Sequence, residues 1–413
     1  MLVLSSLFLA FINFWILYSR RTKSIFNPIK IFSFFLAAYY TLPSVLFSIF
    51  SYENPFSPIK KSLLTYQNFL IIAFVIVVIF VSGLIKKRNI KTFNYDYSSQ
   101  TVFVVAIALM FLGLYVKIQL FLDGLYSVEN KMTLGPSKLT RIQVFLRNID
   151  LWGFLILSPL IPKLVYKRQK PITKLIYFTY LLVLIYFSII QGRRTGVILP
   201  ILTVMASFIL YKKSSIKKLI ALGGILIASL VSVTYNRVKN AGISFSQDVV
   251  QILMDSILAR LFNPYTVLNK VIEQGSINDI SGFSLILKGF VPSFLYPNKP
   301  DLSIGNEFGK SIGLIRSNDN FTGINPGWLA EGYYYFNFFG IVLSAIIFSL
   351  LLSVFSKNTN LKYESSVLFL LLLIQLLSSG FQMEIAASTN FYFKTAIILW
   401  LITSFFSRLK VRT

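Results

Sequence analysis

The stretch LTYQNFLIIAFVIVVIFVSGLI, Leu64 to Ile85, carries no charged residue from end to end. At 1.5 Å of rise per helical residue, a run of this length matches the roughly 30 Å of hydrocarbon in a bilayer. Its apolar residues follow one another without the alternation of a barrel strand, and the bilayer offers no water to satisfy exposed peptide groups. The stretch therefore reads as a transmembrane helix, and it sets the pattern for the rest of the chain.

Composition extends that reading outward. Of the 413 residues, 55% are hydrophobic, 16% aromatic and 13% charged, and the mean hydropathy is +0.70. A soluble domain cannot be so apolar and keep a wet surface. Similar runs recur at roughly 2–18, 31–50, 64–85, 101–122, 148–166, 172–190, 196–211, 216–234, 333–355, 365–380 and 392–407, giving about eleven spans. The first lacks a basic leader and a small-x-small cleavage site, so it reads as an anchor. The expected fold is an all-α polytopic membrane protein with three blocks: spans one to eight over 1–234, a large loop over 235–332, and spans nine to eleven over 333–413.

The net charge of +25 would suggest nucleic acid in a soluble protein. Here the basic residues cluster in alternate connections, such as Arg20, Arg21 and Lys23, then Lys86, Lys87 and Arg88, then Lys212, Lys213, Lys217 and Lys218. Such clusters mark cytoplasmic faces, which puts the amino terminus outside and the carboxyl terminus inside, with no nucleic-acid partner. The chain has no cysteine and no histidine. Disulfides, thiol nucleophiles and imidazole bases are excluded, and zinc loses its usual ligands. Chemistry must come from carboxylates, Tyr, Lys, Arg, hydroxyls or backbone.

By this topology, SIIQGRRTGVILP (188–200) places Arg193 and Arg194 outward, where orientation alone disfavours positive charge. Arg237 follows the eighth span in YNRVKNAG (235–242), and Arg260, Lys299 and Arg316 lie further along the outer loop. A single outer arginine can simply snorkel to lipid phosphates. Several converging guanidinium groups would instead clamp a diphosphate, each charge-assisted bond contributing roughly 1.5–3 kcal/mol. Within the loop, SFSQDVVQILMDSILARLF (244–262) has helical periodicity and ends before Asn263-Pro264, with a second short helix expected from Pro264 to Gly275. Both are expected to rest on the outer membrane surface.

The loop returns to the bilayer through INPGWLAEGYYYFNFFG (324–340), where Gly and Pro shape a re-entry. Its tyrosines form an aromatic belt or, with Trp328, Tyr334 and Asn337, a sugar-binding surface. Glu331 sits at the edge of an apolar span, where a carboxylate is costly unless paired or used. It is the first candidate for a catalytic base, with an ion pair to an outward arginine as the structural alternative. Asp255, then Asp301, Glu307 and Asp319, are the other candidates for the catalytic base on the same side, and no D-x-D pair marks a magnesium site there.

The outward GRRTG turn (192–196), the single large outer loop, the P-x-K-P stretch in LYPNKPD (295–301) and the Pro-Gly-x-x-x-Glu lead into YFNFFG resemble the O-antigen and capsule repeat-unit polymerases of bacteria, the Wzy type. The resemblance implies a GT-C-like bundle in the bacterial cytoplasmic membrane. It implies joining of undecaprenyl-diphosphate-linked oligosaccharide donor and acceptor at the outer face to make O-antigen or capsular polysaccharide. No nucleotide sugar, metal or other cofactor is implied, and a chain-length regulator is the implied protein partner. The related O-antigen ligases use a large-loop histidine, which this chain does not have. A flippase or transporter of lipid-linked sugars is the non-enzymatic alternative; it expects polar groups inside the spans, of which Lys117, Asp150, Gln375 and Lys394 are the examples.

Overall fold

The computed structural model describes residues 1–18, 28–49, 59–86, 100–124, 149–166, 171–190, 194–210, 216–240, 249–277, 284–285, 288, 291, 304–315, 317–318, 323–356, 363–381 and 383–408. Among these the chain is helical and no strand occurs. Six helices are long and apolar enough to cross a membrane: Pro28–Ile49, Lys61–Ile85, Gln100–Leu122, Pro171–Ile190, Gly327–Ser353 and Ile385–Phe406. Shorter apolar helices occupy Leu2–Tyr18, Gly196–Leu210, Ile220–Val233 and Glu364–Ser378. The protein is an all-α protein with the helices of a membrane protein.

The chain divides into two compact units. The first comprises Met1–Lys91, Met254–Lys357 and Leu376–Lys394, and the second Thr92–Leu253, Asn358–Gln375 and Thr395–Thr413. Compactness thus groups segments from both ends of the sequence, because helices distant in sequence supply each other's buried faces.

In the first unit, α1 (Leu2–Tyr18) packs beside α2 (Pro28–Leu36), α3 (Leu42–Ile49) and α4 (Leu64–Lys86). Between α2 and α3 the residues Ala37–Thr41 widen into a π-helical turn, and Pro28–Ile49 stays one helix long enough for the expected span 31–50. A ladder of small polar groups joins these helices. Ser44 donates to Asn68 Oδ1 at 2.8 Å, its hydroxyl lies 2.9 Å from that of Ser6, and Asn68 donates to Ser5 and Ser6, each at 3.0 Å. In an apolar setting such bonds fix helix register, each contributing about 0.6–2 kcal/mol.

The ladder continues into a loop helix. Tyr265 Oη donates to Asn68 at 3.0 Å, Gln67 donates to the Tyr265 carbonyl at 2.7 Å, and Asn269 donates to Gln67 at 2.8 Å. Burial pushes the Tyr265 phenol well above its ordinary range. These residues belong to one helix, labelled α5 here for Val249–Gln274, with Pro264 inside it. The expected break at Asn263-Pro264 is corrected. Proline costs roughly 3 kcal/mol within a helix, but Phe262, Tyr265, Leu268 and Val271 are all fully buried, and each contributes about 1.5–3 kcal/mol. This second half of the helix is therefore core of the first unit and does not rest on its surface. Gly275, with φ 89°, ends the helix by donating to Val271 at 2.9 Å, a left-handed cap that glycine adopts without strain.

In the second unit, the helix Gln100–Leu122 packs closely on Ile149–Leu157. A methyl group on Gly113 or Gly153 would strike Asp150 or the Ala106 carbonyl respectively, so these glycines set the spacing. Asp150 is fully buried, and both Lys117 and Tyr180 donate to its Oδ2. The expected span 148–166 is broken: Ile149–Leu157 ends in a turn before Ile161–Tyr166. Lys163 on that second piece pairs with Glu364, and Gln375 donates to Thr203 at 2.7 Å.

Candidate functional site

The candidate site lies in the first unit and is built on a reversal of the chain. The helical stretch Gly327–Ser356 has non-helical backbone at Phe336 (φ −142°, ψ 25°) and Asn337 (φ 55°, ψ −138°). In a straight helix Trp328 and Phe348 would lie about 30 Å apart. Their ring centroids are 5.1 Å apart. Gly332 likewise abuts Gly340 and Ser344 so closely that a methyl group on it has no room. The stretch is therefore a helical hairpin, with a short arm Gly327–Tyr335 folded back on a long apolar arm. The expected span 333–355 starts in the wrong arm, because its first residues precede the reversal.

The short arm brings Glu331 into the unit's interior, 3% exposed. Its Oε2 accepts the backbone N–H of Ile385 at 2.6 Å. Ile385 opens the helix Ile385–Arg408, whose first amides have no intrahelical acceptor, so the carboxylate caps it from a distant segment. Among the described residues no basic side chain pairs with Glu331; the side chains of the outward arginines expected as its partner lie outside what the structure describes. Glu384, the residue before Ile385, is also buried and close enough for the two carboxylates to repel electrostatically. Glu384 Oε1 lies against Gly305, 3.1 Å from where a Cβ would stand. The sequence reading missed Glu384, although the signal was there: a carboxylate immediately before an apolar helix, as with Glu331.

Trp328 is fully buried, its indole N–H donating to Ser388 at 2.8 Å and its ring edge-on to Phe348. It is a core residue with no face left for a sugar, because that core is built from the rings of Phe32, Phe348 and Phe381 as well. Tyr334 stays at the rim. Its hydroxyl donates to Ser311 at 2.9 Å and its ring meets Phe308 at 5.0 Å, both on the short helix Gly305–Ser311 that also carries exposed Glu307. Asn337 is exposed at the apex, where its Oδ1 accepts the N–H of Phe338 at 2.8 Å. That bond occupies the amide oxygen locally.

At the same rim, Glu273 accepts from Lys270 at 2.7 Å and faces Lys60 at 3.8 Å. The Lys270 hydrogen bond holds the Glu273 carboxyl below the usual range for glutamate.

The diphosphate-binding expectation rests on side chains outside what the structure describes. Arg193, Lys299, Arg316, Asp301 and Asp319 lie outside the described residues. Arg194 opens the helix Arg194–Leu210, Arg237 lies in Ile216–Asn240, and Asp255 and Arg260 lie in α5; only their backbone is among what the structure describes. Among the described residues no group of three or more acidic side chains gathers as a metal site would require. The structure thus brings together Glu331, Glu384, Ile385, Trp328 and Ser388, a constellation of which the sequence reading named two. No family model, curated protein or solved structure matches the chain.

Proposed function

We propose that this protein is a membrane glycosyltransferase that polymerises undecaprenyl-diphosphate-linked oligosaccharide units at the outer face of a bacterial cytoplasmic membrane. The observation that carries the reading is Glu331: a buried carboxylate with no ion pair among the described residues, held by a backbone amide on a re-entrant arm beside a second carboxylate. A carboxylate of this kind is expensive in an apolar bundle and is the expected form of a base where histidine is lacking. The absence of cysteine and histidine, the apolar helices and the sequence resemblance all point the same way.

The chemistry needs two contributions. Glu331 takes the proton of the acceptor sugar hydroxyl as its oxygen bonds to the anomeric carbon of the donor. The bond from that carbon to the diphosphate breaks, and undecaprenyl diphosphate leaves with the electron pair. Base catalysis contributes about 10²–10⁴ in rate. Arg193, Arg194, Arg237 and Arg260, with Lys299 and Arg316, are assigned to the charge that develops on the departing diphosphate. Substituting alanine for both Arg193 and Arg194 is expected to collapse the cellular polysaccharide ladder to a single repeat unit on a gel. An unchanged ladder at normal protein level removes the clamp.

One observation favours a second reading, a transporter of lipid-linked sugars. Lys117, Asp150 and Tyr180 form a buried charged triad on apolar helices of the second unit, the type of group found along transport pathways. Against it, the triad is mutually satisfied through Asp150 and has the look of a structural lock. Its behaviour on substitution decides between the two roles.

A further inference from the structure

The reversal at Phe336–Asn337 has no local cause in the sequence other than one residue. YYYFNFFG (333–340) contains no proline, and its only glycine comes after the turn. Asn337 is the one non-glycine residue with positive φ among those described. Its φ of 55° with ψ of −138° is the combination that a glycine takes at the first central position of a type II′ turn. Asparagine tolerates positive φ better than other side-chain-bearing residues, though such conformations cost about 1–3 kcal/mol.

Two bonds fix the turn. The N–H of Phe338 donates to Asn337 Oδ1 at 2.8 Å, so it is not available to the Tyr334 carbonyl that it would meet in a continuous helix. That carbonyl instead accepts the N–H of Ile277 at 2.8 Å, two residues beyond the glycine that ends α5. The short arm is therefore tied at its apex to the loop helix, and at depth through Glu331 to Ile385 and Trp328 to Ser388. Were the stretch straight, Glu331 would stand about 25 Å along the helix from the level of Phe348, where its arm now lies.

We propose that Asn337 is a positioning residue: its turn folds the short arm back and so sets the Glu331 carboxylate against the Glu384–Ile385 peptide. The role of Glu331 as base rests on the function proposed above; the placement of the arm does not. The chain has four tryptophans, and Trp328 is a built-in reporter of arm position because it is buried only in the folded hairpin. With Trp15, Trp152 and Trp400 changed to Phe, Trp328 emission and acrylamide quenching report the arm in the full-length protein.

The experiment compares Asn337→Ala with Asn337→Gly in that background, reading transfer kinetics and fluorescence together. Asn337→Gly keeps the turn and is expected to retain turnover within about threefold with Trp328 shielded. Asn337→Ala is expected to lower kcat at least tenfold with little change in KM, and to shift Trp328 emission to the red with increased quenching. If Asn337→Ala does not accumulate, Asn337→Ser replaces it with the same expected order. Unchanged kinetics and emission in the alanine variant overturn the proposal. So does loss of turnover in Asn337→Gly with Trp328 still shielded, which would assign the amide to direct substrate contact. If the wild-type background itself transfers no sugar, the enzymatic reading fails, and the fluorescence alone decides whether Asn337 sets the arm.

Discussion

Glu331 accepts the backbone amide of Ile385 through Oε2, and that bond separates its structural part from its chemical part. Glu331→Gln keeps an acceptor for Ile385 and is expected to leave thermal stability near wild type. Glu331→Ala strands the amide and is expected to cost about 1–3 kcal/mol, measured as a lowered unfolding midpoint in detergent. At the rim, Glu273 has a folded-state pKa below its unfolded value. Its contribution to stability is present above the ordinary glutamate range and is lost as pH falls through the lowered folded value. A Glu273→Gln variant is therefore expected to differ from wild type near neutral pH and to converge with it in acid, with a small effect because the group is exposed. Glu331 was legible in the sequence because a carboxylate at the edge of an apolar run is conspicuous. The roles of Trp328 and Asn337 were not, because an aromatic or amide side chain looks the same in a sequence whether it faces a ligand, a core or its own backbone.

At the level of elements, the apolar runs announced helices and the structure contains them, but it also interrupts several of them. Two breaks escaped the sequence reading: the turn at Ser158–Leu160 and the hairpin apex at Phe336–Asn337. One expected break, at Pro264, is absent. Tertiary packing works with local preference at the hairpin, where glycines let the arms that the Asn337 turn reverses approach closely, and against it at Pro264, where a buried aromatic face carries the helix through proline. The Lys117–Asp150–Tyr180 lock belongs to this scale. Lys117→Ala leaves a buried carboxylate without its cation and is expected to destabilise by about 3–5 kcal/mol. Lys117→Met combined with Asp150→Leu and Tyr180→Phe is expected to recover most of that stability. If the triple variant is stable and still makes polysaccharide, the triad is structural; if it is stable and inactive, the transport reading gains.

Over the whole molecule, hydropathy made the membrane class plain, while the partition into two units is set by pairings between segments far apart in sequence. Lys163 pairs with Glu364, and Lys60 and Lys270 meet Glu273. The account requires one centre to do chemistry on a lipid-borne glycan at the outer face. The most direct test reconstitutes the purified protein in vesicles with labelled undecaprenyl-diphosphate-linked oligosaccharide and follows both product length and the side on which the label resides. The expected result is lengthened glycan in wild type and at least a hundredfold slower lengthening in Glu331→Gln, without label crossing the bilayer. Translocation without lengthening, or lengthening at full rate in Glu331→Gln, would contradict the account.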